Sequence, residues 1–514
     1  MKLIKGFING CVAGVLTASA TQAADLPVKA KAIEYARICS AYGAGFWYIP
    51  GSDTCMKIGG YLRVDTTFNG GAQGQPAWSG DLGQNNRHVD HIVARSRMAL
   101  TVDTRTASEY GVVRTFLQGD FQFNNFGSTN PATLGTPLNV SPVGGISGSL
   151  LNGPGGGYVA VESAFIQFAG FTFGKSVSAY ATPWNAFPGN ISSFLFGGHD
   201  TTTGVNNVQY TAQFGNGVSG TIGLDDPSVF SRTNIFNLST ALNATLTTGN
   251  AYAGLYAPDV VGNIRVDQSW GLLQLSGALH EVRAAYNAAP GTAGAEVTGH
   301  PDAKWGGAVM AALNIKNIPT GAGDDLKLDA TWSKGDTRQV ISTAAASPSF
   351  AMFGGTGRAD AYQSIGFGAT TDGVYPPAFA GGDGTIHLTE AYGMRGAFNH
   401  NWDAFWSSSL FGSYSAVRYG GAATAGMCAN YLAGKIPSAD YSCNPDFNVS
   451  QLGVITRWVP VKNLTFSAEL MWFHLDQKFT GTAALTPAAP KPAARYEFKD
   501  QDAVHLQVRA QRNF

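Results

Sequence analysis

Pro460-Val461-Lys462-Asn463-Leu464-Thr465-Phe466-Ser467-Ala468-Glu469-Leu470-Met471-Trp472 holds both signals that decide the fold. From Leu464 onward, Leu464, Phe466, Ala468, Leu470 and Trp472 fall on one side, and Thr465, Ser467 and Glu469 on the other. That two-residue period belongs to a strand with one apolar and one polar face. Pro460–Asn463, ahead of it, is short enough to join neighbouring antiparallel strands by a tight turn. Alternation alone fits a soluble sandwich as well as a barrel, because both need one apolar face. The rhythm of the connections separates the two.

The same period recurs along the chain. Val504, Leu506, Val508 and Ala510 alternate with His505, Gln507, Arg509 and Gln511 up to the terminal Phe514. Ile58, Gly60, Leu62 and Val64 alternate with Lys57, Tyr61, Arg63 and Asp65, and Met98, Leu100 and Val102 with Arg97, Thr101 and Asp103. Val208, Tyr210, Ala212 and Phe214 face away from Gln209, Thr211 and Gln213. Short connections at 215–217, 268–271, 399–402 and 460–463 alternate with long Gly/Pro/Ser/Thr-rich stretches near 123–157, 177–205, 226–258, 335–384 and 419–447. Short turns at one end and long loops at the other mark a transmembrane β-barrel, whereas Greek-key sandwiches have no reason to keep that alternation. About sixteen antiparallel strands are expected, with both chain ends on the short-turn side. Rings such as Phe121, Phe173, Trp305, Trp332, Trp458, Trp472 and Phe473 sit toward segment ends, where an interfacial girdle belongs.

Composition agrees. Of 514 residues only 13% are charged, against roughly 25% in an average soluble domain. The formal net charge of −1 gives no bulk field for nucleic acid. Lys2 and Lys5, an apolar run to about Ala20 and the site Thr21-Gln22-Ala23 predict an export signal over 1–23. No later window reaches the roughly 18 uninterrupted apolar residues of a spanning helix. The expected division is therefore signal 1–23, an N-terminal periplasmic, plug-proximal segment 24–55, and the barrel over 56–514. Cys39 with Cys55 and Cys428 with Cys443 form two sequence-local pairs, the natural disulfides of an exported chain; closing loops of that size contributes roughly 3 kcal/mol each. A metal site would want closer ligand spacing and nearby His, so neither a metal nor another cofactor is expected.

Three blocks resemble one family. Cys39-Ser40-Ala41-Tyr42-Gly43-Ala44-Gly45-Phe46-Trp47-Tyr48-Ile49-Pro50-Gly51-Ser52-Asp53-Thr54-Cys55, running on to Tyr61 and preceded by Ala24–Lys29, is similar to the start of the outer-membrane porins of rhizobia, brucellae and their relatives. Glu162–Lys175 resembles that family's segment leading into the third loop, and Val508–Phe514 its terminus. The resemblance implies a homotrimer of sixteen-stranded barrels in the bacterial outer membrane, in contact with lipid and lipopolysaccharide. Each barrel would fold its third loop inward to constrict a channel for small hydrophilic solutes and ions.

Selectivity in such a channel depends on pore width and wall charge. Alternation places Arg63, Arg95, Arg97, Arg105 and Arg114 on the inner face, with Asp65, Asp103 and Asp120 among them. Arginines on neighbouring strands repel unless carboxylates or water intervene. In related porins a basic wall faces an acidic third loop. Here that stretch, about 176–205, has Asp200 as its one acid, with His199 beside it and Tyr180, Trp184, Phe187, Phe194 and Phe196 around them. One reading is a narrow, arginine-dominated eyelet favouring anions. The other packs the aromatics against the wall and draws the acids from Asp120 or Glu162. An enzyme is not expected: nine scattered histidines lack a nucleophile elbow or paired-His helix. A substrate-specific sugar or anion channel is the remaining alternative.

Overall fold

The computed structural model describes residues 37–71, 74–80, 82–87, 89–124, 157–184, 195–199, 203–228, 233–342 and 349–514. The expected signal over 1–23 and the Ala24–Lys29 block lie outside them, as do Phe187, Phe194, Asp200 and His88. Sixteen strands close the barrel, with the two-residue strand Trp47–Tyr48 joined to the same sheet at Cys55–Met56: β1 Cys55–Phe68, β2 Ile92–Ser108, β3 Gly111–Asn124, β4 Gly157–Phe168, β5 Phe171–Ser176, β6 Val205–Gly215, β7 Val218–Asp225, β8 Asp259–Gln268, β9 Gly271–Val282, β10 Lys304–Lys316, β11 Asp325–Lys334, β12 Glu390–Asn401, β13 Trp406–Arg418, β14 Phe447–Val461, β15 Leu464–Gln477 and β16 Gln501–Asn513. Each pairs antiparallel with its sequence neighbours, and β1 closes on β16 from Tyr61↔Asn513 to Phe68↔Leu506. Closure leaves no free sheet edge for lipid to meet unpaired.

Burial follows the two-residue period. Along β2, Ile92, Ala94, Ser96 and Met98 are exposed while Val93, Arg95, Arg97 and Ala99 are buried. The outward set is apolar almost all round the ring, with Leu275, Val309, Leu410, Leu452 and Val504 all exposed, as hydrocarbon contact requires. Trp305, Trp332, Trp458 and Trp472 stand outward as a girdle would, but Phe473 points inward and is fully buried in a loop-built core. No helix among the described residues is long and apolar enough to cross a membrane.

Two-residue turns at 109–110, 169–170, 216–217, 269–270 and 462–463 close one rim. Asn216 (φ 49°) and Gly217 (φ 73°) take the left-handed pair of conformations that a twisted hairpin needs. The segment 399–402, read as a connection, is mostly strand: β12 runs through Asn401 and the turn is 402–405. The other rim carries the long loops, including 69–91, 283–303 and 478–500, which composition does not flag. Loop 7 (419–446) contains the helix α1, Gly421–Leu432. Loop 6 (335–389) supplies strands to two small sheets: Phe350–Gly354 and Gln363–Gly368 join Ala494–Phe498 and Thr482–Leu485, and Thr371–Tyr375 joins Asn234–Asn237.

Candidate pore and constriction

The interior surface divides into two arcs. On β8–β15 the inward positions interleave apolar residues, among them Val261, Ala278, Met310, Phe411, Ile455 and Phe473, with buried polar ones such as Gln274, Asp329, Arg395 and Gln451. On β16 and β1–β4 they are mostly charged or amide-bearing: Arg63, Asp65, Arg95, Arg97, Asp120, Glu162, Gln507 and Arg509. Buried apolar side chains on an inner wall are unexpected for a water-filled barrel, and the loops explain them. Loop 3 (177–204) lays Trp184 and Leu195 against Leu272, Ala312, Phe411, Ile455 and Met471. Its Tyr180 packs with Val261, Ala278 and Met310. Nearer the long-loop rim, Trp78, Phe196, Leu238, Phe350, Met352, Tyr431 and Phe498, from six different loops, join the inner faces of β12–β16 in one core.

Polar bonds fix the register of loop 3 on that wall. The Phe196 N–H donates to Gln451 Oε1 (2.8 Å), Gln274 Nε2 donates to the Ala181 carbonyl (2.8 Å), and Asn263 Nδ2 to the Ala179 carbonyl (2.6 Å). Arg395, nearly fully buried, pairs through Nε with both oxygens of Asp329 (2.9 and 3.0 Å) and reaches Thr182 Oγ1 of loop 3 at 3.3 Å. His199 is buried with its ring edge-on to Tyr180. Burial, reinforced by Arg338 and Arg395, holds its pKa well below the ordinary histidine value, so it adds no charge at neutral pH. Trp184 is buried in the apolar contact rather than displayed.

The charged arc is knitted by ion pairs. Asp65 is clasped by Arg95 (Nε–Oδ2 2.7 Å) and by Arg509. Arg97 meets Asp120 (2.6 Å), Glu162 (3.3 Å) and Gln122 (2.7 Å). Asp103 serves both Arg105 (3.1 Å) and Arg114 (3.0 Å). The repulsion expected of an arginine cluster is thus offset strand by strand. Arg63 differs: it donates to the Gln511 amide oxygen (3.1 Å) and lies 4.3 Å over the Tyr61 ring, with no carboxylate in pairing distance among the described residues. Arg265 donates to Gln274 (2.9 Å) and Arg457 to Ser409 (2.9 Å), again to neutral acceptors.

The structure therefore brings Arg97, Asp120 and Glu162 into one cluster and Arg95 with Asp65 and Arg509 into another, with Arg63 beside them and Arg114 in a third group with Asp103 nearer the short-turn rim. Trp184 and His199 belong to the opposite wall. Sequence reasoning placed Arg509 on a polar face without giving it a role and did not single out Asp329, Arg395, Arg265 or Arg457, although each sits at an inward position of its strand. Cys39–Cys55 and Cys428–Cys443 are both disulfides, with Cα separations of 6.0 and 5.9 Å. The first fastens residues 39–54 beneath β1, where Phe46 and Tyr42 lie against Arg105.

The sequence matches the family described as Porin subfamily over residues 25–507. Two relatives, Porin Omp2b of Brucella suis biovar 1 (strain 1330) and of Brucella abortus (strain 2308), are 31% and 30% identical over 270 residues, which is 52% of this chain and 63% of theirs. The match thus spans less than two thirds of those relatives' length. Among solved structures, the outer membrane channel DcaP of Acinetobacter baumannii superposes with a TM-score of 0.53 at 14% identity, over 91% of this chain and 99% of that one. That likeness is one of fold.

Proposed function

The chain belongs to the porin family, and from that membership we propose that it is a general-diffusion porin of the bacterial outer membrane, passing small hydrophilic molecules and ions without expending energy. The observation that carries this reading is the closed barrel with one charged interior arc set across from an inward-folded third loop. A wall of charged and amide side chains offers hydrated solutes hydrogen-bond partners in place of the water they shed, which favours polar solutes over apolar ones. We place the constriction at Arg63, Arg95, Arg97, Asp120 and Glu162, with Arg114 at its inner approach, and assign Trp184 and His199 to the loop's anchorage. No step of this function calls for a catalytic group or a cofactor.

The apolar outer belt supports embedding in lipid, with lipopolysaccharide at the long-loop rim, and the family resemblance supports a homotrimer. Residues 1–23 are read as the export signal. The Cys39–Cys55 loop is read as a periplasmic collar on the barrel that follows. Swelling of liposomes carrying the purified protein tests the function: rates should fall steadily as the sugar in the bath grows larger. Absence of swelling with the smallest sugar would contradict it. The loop core over β8–β16 narrows the interior and favours one second reading, a substrate-specific channel. Swelling rates that saturate with one sugar or anion would establish that instead.

A further inference from the structure

Loop 6 enters the barrel through a polar knot that passive diffusion leaves unused. Asp336, just past the end of β11, is fully buried, and neither oxygen of its carboxylate has a hydrogen-bond partner. Two more buried carboxylates face it, Asp259 at the start of β8 and Asp372 farther along loop 6. Between them lies one imidazole: His280 Nδ1 is 2.7 Å from Asp259 Oδ1, and its Nε2 is 3.9 Å from Asp372 Oδ2. The Tyr252 hydroxyl of loop 4 lies 2.8 Å from His280 Nε2 and donates to Asp372 at 3.0 Å.

Asp372 is well satisfied. It also accepts from the Thr233 N–H (2.8 Å) and from the N–H and Oγ1 of Thr337 (2.8 and 3.0 Å). His280 is taken up by Asp259 and Asp372, and Arg395 by Asp329. From loop 3, Asp336 faces Tyr180, whose hydroxyl also lacks a partner; from loop 6 it faces Gln339, whose Oε1 lacks one too. Arg338 and Arg395 lie toward His199. An isolated carboxylate taken out of water neutralises itself rather than remain charged. Burial first, with Asp259 and Asp372 adding to it against His280, pushes the Asp336 carboxyl up to about 8.

We propose that Asp336 carries a proton while loop 6 is seated in the barrel, and that losing this proton unseats the loop, making the width of the channel sensitive to external pH. The amide of Gln339 is the neutral polar group that faces this carboxyl. Seating matters to the constriction because the Val340 carbonyl of loop 6 accepts from the Gly197 N–H of loop 3 (2.7 Å). A carboxyl whose seated pKa is raised stabilises the seated state at low pH, and that contribution drains away as pH climbs from the ordinary carboxylate range toward 8. Through that window the ratio of seated to released loop changes by up to about tenfold per pH unit. The effect on conductance rests on the porin reading; the movement of loop 6 does not.

Hydrogen exchange of residues 335–389 in the detergent-solubilised full chain, between pH 5.5 and 9 and corrected for intrinsic rates, tests the loop directly. Wild type should lose protection there by at least tenfold as pH rises. D336N, neutral throughout and of the same shape, should keep its low-pH protection, while D360N, which removes an exposed loop 6 charge, should behave as wild type. Planar-bilayer conductance should rise with pH in wild type and D360N and stay flat in D336N. Identical exchange profiles in wild type and D336N would overturn the proposal, as would pH-independent protection in wild type. Loop exchange that follows pH in a protein that never conducts would instead sink the porin reading and leave the latch standing.

Discussion

At the scale of single residues, the interior charges are structural before they are functional. Arg395 and Asp329 are both almost fully buried, and their pair ties β11 and β12 to loop 3. Asp329→Ala strands a buried guanidinium and should cost about 3–5 kcal/mol, measured as a lower urea midpoint of the barrel in detergent; a midpoint equal to wild type would refute the pair's structural role. Which arginines face inward was legible, because a period of two assigns faces without knowledge of partners. Which carboxylate each one meets was not. Arg97 finds Glu162 through the adjacency of β2, β3 and β4 and a register shift at Gln118/Gly119, none of which is written in local sequence. Arg105 and Asp103 are the exception, sharing a face two residues apart on one strand.

At the scale of elements, the strands were legible and the loops were not. β5 and β8 give faint alternation, yet both pair along their whole length, because neighbours on either side supply the hydrogen bonds their composition does not advertise. Loop 6 has no period, since its strands bury both faces against other loops: Gln363–Gly368 is buried from Ser364 onward. The helix α1 hides in Gly/Ala-rich sequence and is held by what it packs on, with Ala423, Met427 and Tyr431 in the loop core. Phe473 misleads for the same reason: a ring near a strand end reads as girdle until the loop above it is known. The Cys428–Cys443 bridge fastens this helix to the returning chain. Replacing both cysteines by serine should remove roughly 3 kcal/mol of loop-closure stabilisation and open 419–446 to protease while the barrel's unfolding midpoint changes little. Cleavage kinetics equal to wild type would show that packing alone holds the loop.

At the scale of the whole molecule, one closed sheet reconciles an apolar exterior with an interior that is rich in charge pairs on one arc and covered by loops on the other. Six loops fold onto the second arc, and on the proposed reading that asymmetry leaves the aqueous path to the side of Arg63, Arg97, Asp120 and Glu162. The closed ring followed from the short and long connections. The one-sided interior did not, because it depends on contacts between loops far apart in sequence, such as Trp78 with Phe196 and Phe473. Single-channel recording of the purified protein in a planar lipid bilayer tests the central claim most directly. The account predicts discrete, stepwise and persistent conductance increments in simple salt, smaller than an unobstructed sixteen-stranded barrel would give. A bilayer that takes up the folded protein and shows no conductance at any voltage would contradict it.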